Sequence, residues 1–277
     1  MSAQHSMKMS SMSASDAPSS VALTGLEKLL LVVPLLGGLF FGLVPLLAPK
    51  FLAQISAAPG NDPYIYRLAG AATLGYAIVL TMAIMGGRWL PARIVVIATL
   101  AFNLGSLYAI ALTVAGGGAA WIVYAILVAS IAITAITAWM LYRHRPAPAV
   151  TPDVAPWLAW LVRLLMVVAT LVGASVLFAP VLFAQIFGLA GTDLFLYRQA
   201  GAATLGYGVM GFFQLRSRSW QQWRLPSAMS LVFNGVSFLV SLLAVVNGEA
   251  LPLAYIITAA SLAATVGSFL ALLRQGN

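Results

Sequence analysis

Apolar residues in this chain run in long unbroken blocks, with no alternation of polar and apolar positions. The blocks lie near Leu29–Leu47, Leu68–Met85, Ile94–Ala115, Trp121–Leu141, Leu164–Phe183, Gln199–Leu215, Ser227–Val246 and Pro252–Leu273. A helix needs roughly 20 apolar residues to cross the hydrocarbon core of a bilayer, so the pattern predicts eight transmembrane helices and no strands. Turn signals separate the blocks: Ala58-Pro59-Gly60-Asn61-Asp62-Pro63, Gly116-Gly117-Gly118, Arg145-Pro146-Ala147-Pro148 and Asn247-Gly248.

The pattern also repeats. YIYRLAGAATLGYA, from Tyr64, returns as FLYRQAGAATLGYG, from Phe195, an offset of 131 residues that Arg67 and Arg198 mark. The offset carries Ala48-Pro49 onto Ala179-Pro180, Asp62 onto Asp193, Trp89 onto Trp220, Asn103 onto Asn234, Ser106 onto Ser237, Tyr124 onto Tyr255 and Arg143 onto Arg274. Only the first helix of each half drifts, by one turn. Four helices is an even number, so both repeats enter the membrane from the same side and a pseudo-twofold axis along the membrane normal should relate them. The expected fold is an all-α membrane protein of two same-orientation, tandem four-helix repeats. Its segments are a disordered Ser/Met-rich leader (1–22), repeat one (23–146), a linker (147–157) and repeat two (158–277).

Composition agrees. Of 277 residues, 62% are apolar and 7% charged, with mean hydropathy +0.99. Soluble domains carry roughly 25% charged residues, so a water-facing surface could not be covered. The net charge of +8 reads as topology, not as nucleic-acid binding. Lys8, Lys28, Arg88, Arg93, Arg143, Arg145, Arg163, Arg216, Arg218, Arg224 and Arg274 fall on one side, and only Lys50, Arg67 and Arg198 on the other. The positive-inside rule then predicts a multi-pass cell-membrane protein with both termini cytoplasmic. A cleaved signal peptide in the first block is disfavoured, because the same segment recurs in mid-chain. The chain has no cysteine, which excludes disulfides and thiolate sites. His5, Met7, Met9 and Met12 are soft metal ligands by type, but they lie in a leader expected in the cytoplasm, and no metal or cofactor is expected.

The candidate site residues come in pairs. Asp62 and Asp193 read as N-caps of helices two and six, Asp62 with Pro63 at the first helical position. Arg67 and Arg198 follow one turn inside, beside Tyr66 and Tyr197. Gly70, Gly75, Gly201 and Gly206 mark close helix packing on the same helices. Each arginine either binds an anionic headgroup or solute, or snorkels and ties to a neighbouring polar group. Asn103 and Asn234 fall near mid-membrane with Ser106 and Ser237 one turn on, either lining a ligand pocket or bonding between helices. Tyr124 and Tyr255 start helices four and eight, as ligand contacts or interfacial anchors. The depths of these residues lead to one specific expectation: Arg67 meets Asn103, and Arg198 meets Asn234, inside each four-helix unit. No acid, lysine or histidine sits mid-span, which argues against ion coupling, and no constellation for acid–base or nucleophilic catalysis is present.

Each half resembles the DoxX-like and related uncharacterised four-helix membrane families. The resemblance rests on Arg67-Leu68-Ala69-Gly70-Ala71 with Gly75 one turn on. It implies a four-helix unit and a role of the kind such families hold, which include accessory subunits, and it carries over no catalytic residue. The reading is a non-enzymatic membrane protein that binds, or permeates, a small anionic or amphipathic ligand such as a lipid. The alternatives are a structural or accessory subunit with protein partners in a larger membrane complex and, least supported, an enzyme acting on a lipid.

Overall fold

The computed structural model describes residues 21–58, 60–117, 119–145, 153–249 and 252–275. The leader residues His5, Met7, Met9 and Met12, the turn residues Pro59 and Gly118, and linker positions 147–152 lie outside these.

Among the described residues the chain forms ten helices and no strand. They are α1 Gly25–Leu47, α2 Pro49–Ile55, α3 Pro63–Gly86, α4 Trp89–Ala115, α5 Trp121–Arg143, α6 Pro156–Phe178, α7 Pro180–Phe187, α8 Leu194–Ser217, α9 Trp220–Val246 and α10 Pro252–Gln275. Proline opens α2, α3, α6, α7 and α10, where its missing N–H costs nothing. The two short helices, α2 and α7, are not visible in the apolar blocks. Each follows a break at Ala48 or Ala179, whose backbones leave the helical region at φ −134°, ψ 61° and φ −132°, ψ 53°. Proline follows both alanines and disfavours the helical conformation at the residue before it. The expected fifth span, Leu164–Phe183, therefore ends at Phe178, and its last residues belong to α7.

Among the described residues seven helices are long and apolar enough to cross a membrane: α1, α3, α4, α5, α6, α9 and α10. Helix α8 matches α3 in length at 24 residues, but Arg198, Gln199, Gln214 and Arg216 lower its hydropathy. Large apolar side chains, among them Leu29, Leu36, Trp160, Leu164, Leu171 and Leu243, point outward. Water-soluble monomers rarely expose apolar patches of that extent. These are the features of a multi-pass membrane protein.

Within each half of the sequence, α1 packs on α3, α4 on α5, α6 on α8 and α9 on α10. Between the halves, α4 packs on α8 and α3 on α9, far more extensively than α3 touches α4 or α8 touches α9. The principal core lies among these four central helices and includes Tyr76, Leu80, Val95, Ala203, Tyr207 and Met229.

The contacts at the centre are reciprocal. The Tyr76 hydroxyl donates to the Ala203 carbonyl at 2.9 Å, and the Tyr207 hydroxyl to the Ala72 carbonyl at 2.8 Å. The two rings meet edge to face with centroids 5.2 Å apart. Gly75 and Gly206 leave room for this, since a Cβ on either would strike the tyrosine hydroxyl from the other half. Gly70 and Gly201 serve a different crossing. A Cβ on Gly70 would lie 2.6 Å from the Gly42 carbonyl oxygen, and one on Gly173 would lie 2.5 Å from the Leu205 nitrogen. Gly42 and Gly173 stand at the repeat offset, so the first helix keeps register at this crossing.

Gly70→Ala is therefore expected to push α1 from α3 and to destabilise the protein by about 1–3 kcal/mol. Gly86→Ala, where nothing lies within 4 Å of the added carbon, is the neutral control. Equilibrium unfolding in detergent micelles measures both, and equal stability of the two variants would contradict the crossing.

The end bearing the α3–α4 and α8–α9 turns holds a second set of contacts. The Leu23 amide donates to the Gly87 carbonyl and the Trp89 amide to the Val21 carbonyl, at 2.8 and 2.9 Å. Helix α1 then begins with a capping box, in which the Glu27 amide donates to Thr24 Oγ1 at 3.3 Å and the Thr24 amide to Glu27 Oε2 at 2.8 Å. The other carboxylate oxygen lies 2.7 Å from His144 Nε2 and 3.5 Å from Arg143 Nε. Trp89 stacks on the His144 ring, with centroids 4.5 Å apart. At the repeat offset the second half has Leu158 in place of Glu27, in an apolar cluster with Val162, Trp223 and Ala271.

Candidate functional site

Each half holds a cavity that is open in part. The first, about 640 Å³, lies among α1, α3, α4 and α5 and is bordered by the head of α8. The second, about 260 Å³, lies among α6, α8, α9 and α10 and touches the head of α3 through Ile65 and Leu68. The heads are exchanged between the halves because α8 packs on α4 and α3 on α9. The residue facing the first cavity at the position of Leu68 is Gln199, and Arg198 faces it as well.

The polar lining of the first cavity has two levels. Near the loops it holds Tyr66, Asp193, Arg198 and Gln199. The Tyr66 hydroxyl, Arg198 Nε and Gln199 Nε2 are buried and have no hydrogen-bond partner among the described residues. The Asp193 carboxylate is already engaged by the Gly60 amide, at 3.1 and 3.4 Å to its two oxygens. Burial pushes that carboxyl above the usual carboxylate range, and the nearby Tyr66 hydroxyl and Gly60 amide act the other way. Deeper lie Asn103, Ser106 and Ser130. Asn103 Nδ2 donates to the Thr99 carbonyl of its own helix at 2.8 Å, which leaves its side-chain oxygen as an acceptor. The Ser106 and Ser130 hydroxyls lie 3.1 Å apart.

The expected pairing of Arg67 with Asn103 and of Arg198 with Asn234 is not what forms. Both asparagines bond within their own helices, Asn234 Nδ2 to the Ser230 carbonyl at 2.9 Å. Arg198 shares a cavity with Asn103 of the other half, because the α8 head faces α4. Arg67 lines neither cavity. Asn234 lines the second cavity with Ser237, whose hydroxyl is buried and unpartnered. Tyr66 faces the first cavity, whereas Tyr197 is fully buried and lines neither. Tyr124 and Tyr255 are exposed and also stand apart from both.

Asp62 and Asp193 occupy N-cap positions, but neither side chain caps its own helix. They cross between the halves instead. Asp62 accepts from the Ala190 and Gly191 amides at 2.8 and 3.0 Å, and Asp193 accepts from the Gly60 amide. Asn61 Nδ2 donates to Thr192 Oγ1 between them at 3.3 Å. Gly60 and Gly191 take φ of +69° and +67°, a conformation glycine adopts without steric cost.

Three features escaped the reading of the sequence. Gln199 stands where the repeat has Leu68, a difference visible in the alignment of the halves. Ser130 follows from no motif. Glu27 and His144 lie 117 residues apart, and only the capping box Thr24-x-x-Glu27 was a legible signal. Among the described residues no three His, Asp or Glu side chains come together to hold a metal ion. No protein-family model, curated protein or solved structure matches this chain.

Proposed function

We propose that this chain is an eight-span membrane protein that binds a small anionic or amphipathic ligand, a membrane lipid foremost, within the bilayer and without chemistry. The observation that carries the reading is the set of buried, unpartnered donors of Tyr66, Arg198 and Gln199 around one cavity. A buried polar group without a partner costs about 1–3 kcal/mol, and a guanidinium in a membrane costs more. A ligand with acceptor atoms removes that cost. The cavity volume falls within the roughly 300–1,000 Å³ of small-molecule sites.

The length of α8 and its repeat offset from α3 support it as the eighth span. The reciprocal bonds between the halves support two same-direction repeats, 23–146 and 158–277, about a pseudo-twofold axis. The distribution of Lys and Arg supports cytoplasmic termini. A periplasm-dependent reporter fused after Asn277 should therefore stay silent, and strong activity would reverse the orientation.

The functional test is gentle solubilisation followed by native mass spectrometry. Wild-type protein should carry a bound non-protein mass that Arg198→Ala loses. Co-purifying proteins with no small ligand would favour the structural-subunit reading instead.

A further inference from the structure

The two levels of the first cavity specify the ligand more closely, given the reading above that the cavity binds one. Near the loops it offers three donors in want of acceptors: Arg198 Nε, Gln199 Nε2 and the Tyr66 hydroxyl. Arg198 forms no ion pair among the described residues. Among the described residues the one carboxylate on the wall, Asp193, already accepts from the Gly60 amide. A carboxylic, phosphoric or sulfonic acid accepts from all three donors, whereas an ammonium head could donate only to the Tyr66 oxygen and would face the Arg198 charge.

The lining then runs inward along apolar surface: Phe41 of α1, and Ile126 and Ile133 of α5. Tyr66 and Tyr76 both line it. Ten residues of helix at 1.5 Å each make the cavity about 15 Å deep, roughly half of a 30 Å hydrocarbon core. That depth and volume hold one chain; a two-chain lipid would leave one outside.

The inner level is not apolar. Asn103 lies twelve residues from the end of α4 at Ala115, and Arg198 four residues from the start of α8 at Leu194. With both helices counted from that end, the Asn103 oxygen and the Ser106–Ser130 pair sit roughly 10 Å deeper than Arg198. A plain alkyl chain would leave the Asn103 oxygen and the remaining hydroxyl hydrogen of the serine pair facing methylenes, whereas a hydroxyl or amide on the chain would bond them.

We infer that the first cavity is a site for a single-chain acidic amphiphile carrying a hydrogen-bonding group about 10 Å from its acid. The site is built across the two halves: α8 supplies Arg198 and Gln199, α3 supplies Tyr66, and α4 and α5 supply the inner polar group. The second cavity lacks it, because Leu68 stands in place of Gln199, Arg67 does not enter, and Ser261 bonds the Ile257 carbonyl of its own helix in place of Ser237.

The test uses full-length protein in phosphatidylcholine nanodiscs, with binding measured by calorimetry. The probes are stearate, hydroxystearate with its hydroxyl near mid-chain, stearylamine and phosphatidylglycerol. Hydroxystearate should bind tightest, stearate at least threefold more weakly, and stearylamine not measurably. Arg198→Gln should weaken both acids at least tenfold, Arg198→Lys should restore part of this, and Arg67→Gln should change nothing. Ser106→Ala with Ser130→Ala should remove the advantage of hydroxystearate, with stearate binding as tightly as to wild type or more tightly. Stearylamine binding as well as stearate, equal affinity for the two acids, or indifference to Arg198→Gln would overturn the inference. Displacement of both acids by phosphatidylglycerol, itself sensitive to Arg198→Gln, would overturn the single-chain class and leave an amphiphile site standing. If no probe binds and no ligand co-purifies, the amphiphile reading falls with it.

Discussion

Asp62→Ala should destabilise the protein by about 2–4 kcal/mol. The Asp62 side chain is buried and accepts from two backbone amides of the opposite half, Ala190 and Gly191. Alanine would leave both amides without an acceptor, at about 1–3 kcal/mol each, less what water recovers at this end of the bundle. Asp62→Asn keeps one acceptor oxygen and should lose about half as much. Asp193→Ala should cost less than Asp62→Ala, since a single amide, that of Gly60, depends on Asp193. Equilibrium unfolding in mixed detergent–SDS micelles gives the three values on one scale. Wild-type stability in Asp62→Ala would mean that the clasp between the halves carries no load.

Glu27→Ala should rank next, at about 2–3 kcal/mol. Its carboxylate is fully buried and serves three groups: Thr24 through the capping box, His144 and Arg143. Removing one partner of a buried pair costs up to about 3–5 kcal/mol. The lower figure applies here because the Arg143 side chain is 45% exposed and water screens it. Glu27→Gln should cost less, since its amide oxygen still accepts from Thr24. A double-mutant cycle of Glu27→Ala with His144→Ala should show coupling of about 1 kcal/mol or more. Additive losses would show that the two side chains contribute independently and do not join α1 to α5.

The apolar blocks were legible because a span is a run of neighbouring residues, and the offset of 131 is a comparison of two such runs. The partner of each polar residue was not legible for a reason specific to a sequence whose halves align at one offset. The repeat shows that Arg67 corresponds to Arg198 and Asn103 to Asn234, but it does not say whether an arginine faces the asparagine of its own half or of the other. Both choices satisfy the same alignment and the same depths. Packing decides, and α8 lies on α4. The aspartates illustrate the same ambiguity, since a cap on its own helix and a clasp across the halves need the same residue at the same place. Glu27 and His144 were missed because the second half has Leu158 and Gln275 at those positions, so no repeat signal flagged them.

The clasp at Asp62 and Asp193 and the tyrosine pair at the centre share one property: each half gives the other an aspartate acceptor, a glycine amide and a tyrosine hydroxyl and receives the same in return, with the Ala190 amide as the one bond given in a single direction. Two copies of a half-length chain could exchange the same bonds as a homodimer, with an isologous interface. Any substitution in such a dimer appears on both sides of the axis, so its two cavities must be identical. Covalent fusion lifts that constraint. Leu68 and Gln199 occupy equivalent positions with opposite chemistry, a combination open to one continuous chain and closed to a symmetric pair.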